Sequence, residues 1–166
     1  MASFEGLDAT KWSEIEPHYQ DFLNRDIDSA ETLETWLLEL GEFGAYVGET
    51  GAMLYVEMTC DTENEEIKQA YLDFVENVQP ELSKIGDLLN RKLAESPFAD
   101  ELDSEEYNVL LRDTRMDLAL FREENIPIYT ELTKLGQQYN EICGAMTVEF
   151  DGEERTMQQM GKYLQV

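Results

Sequence analysis

A single histidine, His18, stands in a chain of 166 residues. That scarcity removes most zinc and triad chemistry from the chain itself. A catalytic zinc takes two or three histidines with a carboxylate, and an HExxH pattern needs two on one helix face. A Ser-His-Asp or Cys-His arrangement would have to use His18, which follows Pro17 near the start of a helical stretch and reads as a surface or semi-buried helix histidine. A di-iron bundle needs Glu-x-x-His pairs, whereas Glu14 and His18 are four apart. Cysteine is nearly as rare. Cys60 and Cys143 are too few for a disulfide scaffold or a thiolate metal site, and both are expected as buried thiols in helices. Basic residues are scarce too: 12 Lys and Arg face 37 Asp and Glu, a net charge of −25. Affinity for phosphate backbones and for anionic lipid comes from Lys and Arg, so neither nucleic acid nor a membrane surface is an expected partner. No apolar run approaches the roughly 18 residues of a membrane span. The opening Met1-Ala2-Ser3-Phe4-Glu5 has no basic start and no apolar stretch, so no signal peptide is read and a soluble cytoplasmic protein is expected. Phosphate loops are absent as well. There is no GxGxxG, and Gly161-Lys162 lacks the upstream glycine of a P-loop.

What the chain does have is apolar residues at helical spacing. They make up 42% of the sequence, too many for a disordered acidic tail, and only four prolines interrupt them. Ser13 and Glu16 have capping-box spacing with Pro17 in the first turn, predicting a helix to about Arg25. Asp28 and Glu31 repeat that signal before Leu33, Trp36, Leu37 and Leu40. Gly41, Gly44, Gly48 and Gly51 then predict a bend, a break or close helix packing. Thr62 to Glu65 forms another capping box and opens a long stripe from Ile67 to Leu89, with a kink expected at Pro80. Ser104 is expected to cap a helix that turns Tyr107, Leu110, Leu111, Leu118 and Phe121 inward. Pro127 starts a third stripe, Ile128, Leu132, Leu135, Tyr139, Ile142, Cys143 and Met146, also expected in the core. The pattern then alternates from Met146 to Phe150, and Asp151-Gly152 marks a hairpin near residues 146–156. Thr156 caps a last amphipathic piece to Leu164. The fold class expected is therefore all-α: a multi-helix bundle of long amphipathic helices with one small β-hairpin, forming a single domain over residues 1–166.

No self-sufficient catalytic set emerges, and no catalytic, cofactor-binding or metal-binding residue is assigned. The run Asp61 to Glu66 lacks the glycine and the twelfth-position glutamate of a calcium loop, and acids at a helix start are explained by the helix dipole. Glu123-Glu124 and Glu153-Glu154 read as solvated faces, and Tyr71, Phe74, Tyr107, Phe121 and Tyr139 as core.

Longer strings carry more. Met58-Thr59-Cys60-Asp61-Thr62, Leu89-Asn90-Arg91-Lys92-Leu93, Leu120 to Pro127 (LFREENIP), and Gly144 to Phe150 (GAMTVEF) through Gly161 occur in order, after an opening Trp12-Ser13-Glu14-Ile15-Glu16-Pro17. In that order and spacing they resemble the N-terminal region of oligoendopeptidase F-like zinc metallopeptidases of the thimet oligopeptidase family. The resemblance covers about Trp12 to Leu164. It implies a helical lobe that walls a channel for short peptides in a cytoplasmic enzyme, with zinc held elsewhere on an HExxH helix. No metal or catalytic residue carries over, because the matching positions do not occur here. On this reading the chain alone is inactive, its partner is a missing catalytic domain, and the hairpin and the 157–166 helix are the start of the connection to it. A lobe without its partner is expected to expose an apolar face, through which it would form a homodimer or bind hydrophobic dye. The alternative is a stand-alone acidic helical interaction protein without enzymatic activity.

Overall fold

The computed structural model describes residues 4, 6–61 and 64–164. Six helices form the body: α1 (Trp12–Asn24), α2 (Ala30–Cys60), α3 (Glu65–Asn77), α4 (Gln79–Glu95), α5 (Ser104–Leu120) and α6 (Ile126–Ala145). Strands β1 (Thr147–Phe150) and β2 (Glu153–Thr156) and helix α7 (Met157–Leu164) follow. The expected all-α bundle with one hairpin is the observed architecture. Short 3₁₀ turns at Ala99–Glu101 and Glu123–Asn125 lead from α4 to α5 and from α5 to α6.

α4 is the central element, packed against α1, α3, α5 and α6, while α2 lies along α3. The core gathers where α1, α2 and α4 meet. Ile15, Leu33, Trp36, Phe43 and Val47 are almost fully buried. Phe43 anchors an aromatic cluster, with the rings of Tyr19, His18 and Phe4 centred 4.9, 5.0 and 5.2 Å away. The Trp36 indole N–H donates to the Phe22 carbonyl at 3.0 Å. Lys92 of α4 donates to the carbonyls of Phe22 and Leu23 at 3.0 and 2.8 Å, and to that of Arg25. α1 has no basic residue in its own last turn, so a cation from another helix caps its negative end. Burial pushes the Lys92 amine below its ordinary value, with the Arg25 charge acting in the same direction.

Helix boundaries correct the expectations in detail. α1 starts at Trp12 with Lys11 as an N-cap that makes no side-chain bond, so Ser13 is not the cap and Pro17 lies in the second turn. Glu14 reaches back instead, its carboxylate accepting the Asp8 N–H at 2.9 Å. Ser29, not Asp28, caps α2 through a reciprocal box with Thr32. The predicted cap Thr62 lies outside the described residues. Asn64 caps α3, its side-chain oxygen accepting the N–H groups of Glu66 and Ile67 at 3.1 and 3.3 Å. Pro80 does more than kink the long stripe: the helix ends at Asn77 and α4 begins at Gln79 with the proline in its first turn. Asp103, not Ser104, caps α5.

The glycine-rich stretch does not break α2, which runs unbroken through all four glycines. Close packing is the explanation at one of them. A Cβ on Gly51 would lie 2.7 Å from the ring of Phe74, so α3 approaches α2 where only a hydrogen fits.

Tyr19 is 6% exposed, and burial pushes its hydroxyl up to about 12. The neutral phenol is the form the core favours. Its contribution to stability is complete below about pH 10 and is lost as pH rises through about 12. Urea midpoints should therefore fall across this window, and Tyr19→Phe should flatten part of the fall. An unchanged slope in the variant would contradict the assignment.

Candidate docking surface

α6 meets the bundle with its polar side. Ile126, Thr130, Thr133, Gln137 and Glu141 recur at steps of three and four and line one face. Ile126 and Gln137 are buried. Lys134 pairs with Glu76 of α3 at 2.7 Å, and Glu141 with Lys68 of α3 at 2.9 Å. The carboxylates raise both lysines above their ordinary value, Glu76 acting first on Lys134 and Glu141 first on Lys68.

The apolar stripe predicted as core is on the other side. Ile128, Leu132, Leu135, Tyr139, Ile142 and Met146 are each more than half exposed. This overturns the expectation for the third stripe and for Tyr139. The physical reason is that amphipathicity marks which face wants burial, while the inward face here is fixed by two ion pairs and a buried glutamine. Leu110 of α5 is also exposed rather than inward, and Val109, Met116 and Leu120 beside it are exposed as well. α6 carries only Glu131, Lys134 and Glu141 as charged residues, so its outward stripe is nearly neutral in a chain of −25. A contiguous exposed stripe of this kind marks an interaction surface.

The hairpin and α7 extend beyond it. Asp151 and Gly152 both have left-handed backbone, at φ 56° and 76°, as a tight two-residue turn requires. Antiparallel pairing runs from Thr147 opposite Thr156 to Phe150 opposite Glu153. Thr156 caps α7 reciprocally with Gln159, at 3.0 and 3.3 Å. Phe150 packs on Tyr163 of α7 with rings 5.1 Å apart. The Arg155 guanidinium lies over the same Tyr163 ring at 5.1 Å, with its Nε buried and unpartnered.

A second feature lies where α4, α5 and α6 meet. A cleft of about 370 Å³ is lined by Leu82, Asp87, Asn90, Asp117, Leu120, Phe121, Arg122, Asn125, Ile126 and Tyr129 among others. The strings 89–93 and 120–127 come together here, although they are separate in sequence.

The residues tested for chemistry do not converge. His18 is exposed on α1 against Phe43. Cys60 is exposed and Cys143 half-buried, both as free thiols, which corrects the expectation of two buried ones. Cys60 is the last residue of α2, and Cys143 lies in the last turn of α6. Glu123, Glu124, Glu153 and Glu154 are exposed. The ammonium of Lys162, beside Gly161 on α7, lies 4.8 Å from the centre of the Tyr163 ring. Among the described residues, no group of three or more His, Cys, Asp or Glu could hold a metal ion, and no helix is long and apolar enough to cross a membrane.

A family model for the Peptidase M3 N-terminal domain matches residues 7–121, more than half of the chain. The chain belongs to this family. No curated protein and no solved structure matches it. The M3 match spans α1 to α5, and α6, the hairpin and α7 lie beyond it. M3 peptidases are metallopeptidases, yet this M3 chain has one histidine, on α1, and no clustered ligands for a zinc ion among the described residues. No catalytic step is therefore assigned to the residues of this chain.

Proposed function

We propose that the chain is the non-catalytic N-terminal helical lobe of a cytoplasmic zinc-dependent oligopeptidase that hydrolyses short peptides. The lobe forms a wall of the substrate channel. A separate catalytic part would carry the zinc on an HExxH helix, where the metal polarises the scissile carbonyl and activates water. Residues 146–166 form the beginning of the connection to that part, within a single helical domain.

The observation that carries this reading is the orientation of α6. A helix that spends its polar side on the bundle and presents six apolar side chains outward is built to be covered. Family membership supports a catalytic part of the same enzyme as the cover.

The test is peptide hydrolysis by the gene product purified from its native source. Chelator-sensitive cleavage of short peptides is expected, with none from the 166-residue chain alone. Leu132→Gln with Ile142→Gln in the native product should lower kcat/KM by tenfold or more, since a displaced wall mispositions the substrate. A native product that leaves short peptides intact would contradict the proposal.

A further inference from the structure

We propose that the cleft between α4, α5 and α6 binds a short free peptide, its carboxylate held by Arg122 and its ammonium by Asp117. Choosing a peptide over another ligand of like charge rests on reading the chain as a peptidase lobe. The site itself rests on which polar groups the fold leaves open.

Arg122 is the first of these. The chain holds 12 Lys and Arg among 37 acids, and nine of the 12 pair with a carboxylate among the described residues. Arg122 does not. Its Nη1 donates to the carbonyls of Ala119 and Phe121 at 3.1 and 2.5 Å, which fixes the guanidinium at the end of α5. Its Nη2 and Nε have no partner among the described residues and retain the fork that suits a carboxylate.

Asp117 lines the same cleft, and its side chain has no hydrogen bond or ion pair among the described residues. It is not paired with Arg122. An open cation and an open anion that leave each other alone suit a ligand carrying both charges. Asp87, the other carboxylate of the cleft, is already engaged by Arg91 at 2.8 Å.

Asn90 and Asn125 complete the set. Both are half-buried, and neither side chain makes a hydrogen bond among the described residues; Asn125 stands at the N-cap of α6 without capping it. A side-chain amide offers one acceptor and two donors, the complement of a peptide group. Leu82, Phe121 and Ile126 give an apolar lining for a side chain, and the volume lies at the lower end of the range for small-molecule sites. A phosphate ligand would set negative charge against Asp117 in a chain of −25, and a polyamine would set positive charge against Arg122.

Calorimetric titration of the 166-residue chain tests this with a phenylalanine-terminated tripeptide, free at both ends, amidated at the C-terminus, or acetylated at the N-terminus. The free tripeptide should bind at one saturable site, and each blocking group should weaken it by about tenfold or more. Arg122→Gln should weaken the free peptide and become indifferent to amidation. Asp117→Asn should weaken the free peptide and leave the acetylated one unchanged. Arg122 also caps α5, so if its variant unfolds, Asp117→Asn decides, because that side chain makes no hydrogen bond or ion pair among the described residues. No saturable binding, equal binding of free and blocked peptides, or wild-type affinity in folded variants would overturn the proposal. The readout involves no hydrolysis, so failure here is distinct from an inactive native gene product.

Discussion

Replacing Trp36 with alanine is expected to cost about 3–5 kcal/mol of stability. Small domains hold only about 5–15 kcal/mol in total, so the variant should sit near the edge of folding. The size of the effect follows from position. Trp36 is 1% exposed at the junction of α1, α2 and α4. Its indole N–H and the Lys92 ammonium converge on one carbonyl, that of Phe22. The Lys92 ammonium also lies 5.8 Å from the centre of the indole ring. Truncation opens a cavity and removes one donor from the joint that ties α1 to the other two helices. Trp36→Phe keeps much of the volume and should cost far less than Trp36→Ala, since Lys92 still satisfies the carbonyl. Urea denaturation measures both. A loss below about 1 kcal/mol in the alanine variant would place the centre of the core elsewhere.

The second large effect is on binding. The wild-type chain should bind a hydrophobic dye or self-associate through the outward stripe of α6. Leu132→Gln, Tyr139→Gln and Ile142→Gln together should reduce the dye signal several-fold. The same triple variant should change stability by no more than about 1 kcal/mol, because exposed substitutions to a good helix former are nearly neutral. Were the stripe part of the core, as its spacing suggests, each truncation would cost about 2–5 kcal/mol and the variant would not fold. Dye fluorescence and a thermal melt on one sample separate the two outcomes. An unfolded triple variant, or unchanged dye binding, would contradict the placement of α6.

These two cases also mark how far the sequence could be read. The Trp36 part of the core was legible because Leu33, Trp36, Leu37 and Leu40 recur at helical spacing, whereas Phe43 and Val47 were not, since they lie in the glycine-rich stretch where a bend, a break or close packing is expected. The hairpin was legible because Asp151-Gly152 between alternating residues has few other solutions. The Thr156 cap followed from the same local logic. Boundaries were less so. Ser13 and Asp28 have capping chemistry, but Ser29 and the uncapped Lys11 lie one or two residues away, and tertiary contacts decide between neighbours. Pro80 permitted either a kink or a new helix start, and packing of α3 and α4 chose the second.

The candidate surface was the least legible part. An apolar stripe at helical spacing looks the same whether it faces its own bundle or another body. Lys68 and Glu76, both distant in sequence on α3, together with the burial of Gln137, show that α6 is held by its opposite side. The cleft was hidden for a similar reason. Asn90, Asp117, Arg122 and Asn125 carry no motif, and they share a site only because α5 and α6 both lean on α4. The strings around Asn90 and Arg122 could have drawn attention to them, but sequence order could not show that they meet.

On the proposed function, this helical unit works as one lobe of a metallopeptidase. Sequencing the native locus past the codon for Val166, together with its neighbouring frames, tests this role most directly. A peptidase segment bearing HExxH is expected, either in the same frame or encoded alongside. A stop codon with no such segment nearby would contradict it, and would leave an acidic helical interaction protein whose exposed α6 stripe serves a different partner.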